Sequence, residues 1–128
     1  MKSRAIVGLM AIAVAVAVVA ALGGVGTARS TSPKVVKVGD NFYAPTKVTV
    51  RKLGKVRWKW PAGGTLQVHN VTLKSAPKGV RKSRFRSQTT AAAGYRFTKR
   101  FRKPGKYHFI CTIHQFEMQM NVRVRRPS

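Results

Sequence analysis

From residue 34 onward, apolar side chains recur at every second position in short runs, a period that fits half-buried β-strands and no helix. Val48 and Val50 alternate with Lys47, Thr49 and Arg51, and Val56, Trp58 and Trp60 alternate with Arg57 and Lys59. Tyr95, Phe97 and Phe101 share a parity opposed to Arg96, Thr98, Arg100 and Arg102. The last run sets Met118, Met120, Val122 and Val124 against Gln119, Asn121, Arg123 and Arg125. Turn formers stand between the runs: Gly39-Asp40-Asn41, Pro61 to Gly64, Pro77 to Gly79, and Pro104-Gly105, whose order suits the centre of a type II turn. Short strands at this turn spacing predict an all-β fold, an antiparallel β-sandwich.

Parity also sorts the candidate functional residues. Leu66 and Val68 share one face whereas His69, Val71 and Leu73 share the other, which predicts a bulge or kink near Val68-His69-Asn70 that turns His69 inward. Tyr107, Phe109 and Cys111 fall on one face and His108 and Ile110 on the opposite one, so His108 is set aside although it is the histidine nearest the cysteine.

Residues 1–28 read as a signal peptide. Lys2 and Arg4 precede an apolar run from Ala5 to Leu22, followed by small residues ending at Ala28. The run just reaches the length of a membrane span, so an uncleaved anchor is the alternative. Residues 29–33 form a polar linker, and 34–128 make one domain large enough to build a core without disulfides. Under either reading the folded part is exported, whether periplasmic, cell-surface or secreted.

An exported protein ordinarily pairs its cysteines, yet Cys111 is the single cysteine here. Singly, Cys111, His114 and Met118 read as a buried thiol, a surface imidazole and a core thioether. Together, in the order Cys111-Thr112-Ile113-His114 with Met118 four residues on, they make the soft-to-borderline donor set that selects copper over hard cations. His69, 42 positions before the cysteine, supplies the second imidazole. Two methionines compete for a weak axial position. Met118 lies nearer the loop, whereas Met120 sits one strand step, about 6–7 Å, further along, so Met118 is favoured and Met120 assigned to the core. The carboxylate of Glu117 matches a copper passing through its reduced state poorly.

The net charge of +24 sets 26 Lys and Arg against only Asp40 and Glu117, and twelve basic residues fall between Lys74 and Lys106 with no acid among them. Basic side chains on outer strand faces discourage edge-to-edge aggregation, which explains their position but not the dearth of acids. Such a surface seeks anions. For an exported domain these are an acidic redox protein, anionic lipid or cell-wall polymer, ahead of nucleic acid. Two carboxylates leave little acid–base machinery for an enzyme.

Several segments together resemble the cupredoxins, specifically the small plastocyanin/amicyanin-like blue copper proteins. They are Phe42-Tyr43-Ala44-Pro45, Val56-Arg57-Trp58-Lys59-Trp60, His69-Asn70-Val71, Pro104-Gly105-Lys106-Tyr107-His108-Phe109 and Cys111-Thr112-Ile113-His114. The resemblance implies a Greek-key β-sandwich with one type 1 copper at one end, held by His69, Cys111 and His114 with Met118 axial. It further implies that Asn70 ties the two ligand loops together, and that electrons pass through the exposed edge of His114 within an apolar collar to which Phe116 contributes. The function implied is a monomeric, non-enzymatic carrier of single electrons. An envelope copper-delivery protein, or a basic module for anionic polymer or nucleic acid, are the alternatives. The chain departs from the family pattern in two places. The His-to-Met gap is four residues, between the amicyanin-like three and the plastocyanin five, and Ile110 stands where plant plastocyanins carry a Tyr.

Overall fold

The computed structural model describes residues 32–127, and the leader predicted over 1–28 lies outside them. Eight strands form in chain order: β1 (Lys34–Gly39), β2 (Phe42–Ala44), β3 (Lys47–Arg51), β4 (Lys55–Lys59), β5 (Thr72–Ser75), β6 (Arg96–Arg100), β7 (Gly105–Ile110) and β8 (Gln119–Arg125). The only helical segment among the described residues is one 3-10 turn, Lys82–Arg84, so no helix there is long and apolar enough to cross a membrane.

The strands build two four-stranded sheets, ordered β2-β1-β4-β6 and β3-β8-β7-β5. The all-β sandwich is as expected, but the sheets are mixed rather than antiparallel. β1 runs parallel to β4, with Val36 opposite Trp58, and β3 runs parallel to β8, with Val48 opposite Val122. Turn signals report only on strands adjacent in sequence, and here the paired sequence neighbours are β1–β2 and β7–β8. The other connections, such as Pro45-Thr46 after β2, carry the chain from one sheet to the other.

Two local expectations are corrected. Leu66 to Val68 form an exposed loop rather than a strand, so no bulge is needed at His69. The register shift lies instead between Leu73 and Ser75. Pro104-Gly105 does not make the type II turn: Gly105 has φ 136°, beyond the roughly 80° such a turn needs, and it enters β7 directly.

The alternating faces meet between the sheets. Val56, Trp58 and Trp60 from one side and Tyr107, Phe109, Met120, Val122 and Val124 from the other are all buried, while Lys59, Arg123 and Arg125 face outward. Trp58 lies between its cross-strand neighbour Phe97 at 5.7 Å and Phe109 of the opposite sheet at 4.8 Å, ring centre to ring centre. A buried indole N–H needs an acceptor. Trp58 Nε1 donates to Met120 Sδ at 3.0 Å, and Trp60 Nε1 to the Thr90 carbonyl at 3.0 Å. Phe109→Ala should therefore cost about 3–5 kcal/mol of stability, read by urea unfolding of the metal-free protein. A loss below about 1 kcal/mol, the range of tolerated volume-conserving swaps, would contradict this packing.

Candidate metal centre

Two connections converge at one end of the sandwich: the segment 60–71 following β4, and the loop 111–118 joining β7 to β8. The second loop is wound tightly. Cys111 N–H donates to the Met118 carbonyl at 3.1 Å, His114 N–H to the Cys111 carbonyl at 3.2 Å, and Met118 N–H to the His114 carbonyl at 2.9 Å. This winding brings Cys111 and His114 together, with the Met118 backbone closing the loop. On the first segment, His69 is pinned by reciprocal backbone hydrogen bonds with Thr90, at 3.0 and 2.9 Å.

The donor atoms of His69, Cys111 and His114 all lie within 4.8 Å of one another. Cys111 Sγ stands 3.8 Å from His114 Nδ1, and the two imidazole rings are 5.0 Å apart. His69, Cys111 and Met118 are fully buried, whereas His114 is half-exposed. Met120 is also buried, but its sulfur accepts from Trp58, deeper between the sheets. His108 points away from the cluster, its ring nitrogens meeting Asn121 Oδ1 at 2.8 Å and Gln119 Oε1 at 3.1 Å.

Asp40, in the turn between β1 and β2, decides the tautomer of His69. Its carboxylate accepts from His69 Nε2 at 2.9 Å and from the backbone N–H groups of Leu66 and Gln67, each at 3.0 Å. An ionised carboxylate only accepts, so Nε2 carries the proton and Nδ1 the lone pair. Nδ1 is buried and has no hydrogen-bond partner. A buried acceptor left unused is costly, and this one belongs to a group of thiol and imidazole donors. The residues present thus fit a copper ion, in a carboxylate–histidine–metal arrangement. The hydrogen bond from His69, helped by those from Leu66 and Gln67, holds the Asp40 carboxyl at about 2, below its ordinary 3.8.

Asn70 spans the two connections. Its Nδ2 donates to Thr112 Oγ1 at 2.7 Å and Thr89 Oγ1 at 3.0 Å, while its Oδ1 accepts from Thr112 N–H at 3.0 Å and Thr72 Oγ1 at 2.9 Å. Its carbonyl accepts from the hydroxyl of Tyr43, whose pKa burial pushes upward. Of these contacts the sequence reading held Asn70 alone. Asp40 passed there as a turn residue, and its single signal was being the chain's lone Asp.

Residues 33–125 match the family model for copper binding proteins of the plastocyanin/azurin family. The chain belongs to that family. Its cofactor is copper, and the cluster of His69, Cys111 and His114 is consistent with a single type 1 site. Solved structures of similar fold include a purple cupredoxin from Nitrosopumilus maritimus, with TM-score 0.57 and 20% identity over 72% of this chain and 99% of that one. A reduced Cu(I) form of an amicyanin mutant gives TM-score 0.57 and 21% identity over 73% and 83% of the two chains. The copper-containing nitrite reductase of Thermus scotoductus SA-01 gives 0.62 and 23% over 76% of this chain, which spans only 23% of the reductase. No curated protein matches the chain.

Two outcomes test Asp40 in this cupredoxin. Asp40→Asn should weaken Cu(II) affinity about 10–100-fold in a competitive titration, the usual cost of removing a carboxylate behind a histidine ligand. Because the folded-state pKa is depressed, the carboxylate's contribution to stability is complete above about 4 and is lost as pH falls towards about 2. The melting-temperature advantage of the metal-free wild type over Asp40→Asn should shrink across that window. An advantage independent of pH would contradict the assignment.

Proposed function

We propose that the chain is an exported carrier of single electrons, with copper held by His69, Cys111 and His114 and with Met118 as the weak axial ligand. The observation that carries this reading is the unpartnered, buried Nδ1 of His69 beside a thiol and a second imidazole. Bound there, copper supplies a one-electron couple. The remaining work falls to the chain: Asp40 holds the His69 ring and its tautomer, and Asn70 with Thr112 fixes the distance between the ligand-bearing segments. Met118 is favoured over Met120 as axial ligand because the sulfur of Met120 already accepts from Trp58.

The same reading assigns electron passage to the half-exposed His114. Around that end of the molecule Phe116 and Leu66 are 94% and 96% exposed, and Ile113 and Val68 about half. Apolar groups left in water beside a redox site make a docking face for a partner protein. The net charge of +24 selects an acidic one and speeds the encounter. Four protein donors leave no position for a substrate, which supports a carrier rather than an enzyme. The leader-like residues 1–28 support export.

One equivalent of Cu(II) added to the metal-free domain should give intense blue absorption and narrow copper hyperfine splitting. Cys111→Ser should abolish both, and intense colour surviving that change would sink the thiolate assignment. Met118→Leu should shift the potential or spectrum with copper retained. If Met120→Leu does so and Met118→Leu does not, the axial ligand is Met120. Fast self-exchange of electrons supports the carrier, whereas facile copper transfer to an acceptor supports delivery.

A further inference from the structure

A second concave site lies on the flank formed by residues 79–85, β6 and the β6–β7 connection. Its volume is about 580 Å³, within the range of small-ligand sites. Six of its lining residues are cationic: Arg81, Arg84, Lys99, Arg100, Arg102 and Lys103. The floor is fixed rather than pliant. Phe85 packs on Phe101 at 5.4 Å and Tyr107 at 5.9 Å, and Lys99 Nζ stands 5.8 Å from the centre of the Phe85 ring. Lys103 donates to the Lys78 carbonyl.

Nothing among the described residues neutralises this cleft. Asp40 is committed to His69, and Glu117 sits in the 111–118 loop at the metal end. Among the described residues the one ion pair is that between Asp40 and His69, so the six cations have no carboxylate partner. Six like charges around one concavity repel one another, a cost that a bound anion removes. The cleft is also separate from the metal centre: Tyr107, at its edge, precedes Cys111 by four strand positions, about 13 Å.

We propose that this cleft binds a ligand carrying closely spaced phosphate groups, engaged mainly by Arg81, Arg84, Arg100 and Arg102. Guanidinium forks match phosphate oxygens two at a time, and four arginines lining one concavity suit several phosphates better than one. Nucleic acid fits less well. Of the two aromatic residues that line the cleft, Tyr107 is buried and Phe85 is half-buried with Lys99 Nζ over its ring, leaving no platform on which a base can stack. The proposal is independent of the copper assignment.

Inorganic tripolyphosphate, titrated calorimetrically into the full chain in about 0.1 M NaCl, tests it. The double variant Arg81→Gln/Arg84→Gln, whose two residues line this cleft alone among the described cavities, should lose at least about tenfold in affinity, as expected when paired charges are truncated. A charge-matched control outside the cleft, Arg51→Gln/Arg123→Gln, should lose less than about threefold. An unchanged urea midpoint shows that each variant is folded. Equal losses in both variants, or no wild-type binding at this salt, overturn the cleft as a site. Vesicles containing phosphatidylglycerol separate two sources of the phosphate. Vesicle binding that the cleft variant loses and tripolyphosphate displaces identifies a lipid headgroup. Vesicle binding indifferent to both, with the tripolyphosphate loss intact, identifies a soluble or polymeric phosphate.

Discussion

The register between β7 and β8 governs the metal end of this molecule. Ile110 pairs with Gln119, so the next residues toward the loop, Cys111 and Met118, close it with a backbone hydrogen bond and both face the interior. A slip of one residue would invert every side chain on β8. The same slip would expose Met120, Val122 and Val124 and break the contact of Met120 with Trp58. Core and donor cluster are therefore specified by one pairing, and selection on either maintains the other.

Charge is distributed with a similar economy. The two carboxylates of the chain lie at the metal end, one of them against a candidate copper ligand, while the flank around β6 is left wholly cationic. A single negative charge held next to His69 matters more in a protein of net charge +24 than in a balanced one. It is the one carboxylate held against the His69, Cys111 and His114 cluster among the described residues, where the net field of the chain is positive.

Much of this was legible from residue order, for a physical reason. Strands with one buried face announce themselves by parity, and the burial of Val48, Val56, Trp58, Met120 and Val122 follows it directly. The cluster of His69, Cys111 and His114 was legible because soft donors are rare and lay at telling positions. What escaped were relations between segments distant in sequence. The parallel pairings β1–β4 and β3–β8 leave no turn signal, and the parity change before His69 proved to be a loop leaving the sheet rather than a bulge. Asp40 reaches His69 across 29 positions, a partnership no local pattern encodes.

The side chain of Asn70 is clamped entirely by hydroxyl and backbone groups, those of Thr72, Thr89 and Thr112 and the peptide N–H of Thr112, while its carbonyl takes the Tyr43 phenol. None of these titrates in water between the carboxylate and phenol ranges. The spacing between the His69 segment and the Cys111 loop is thus set by contacts indifferent to acidity. Within that range the ties between the two ligand-bearing segments include no group that changes charge.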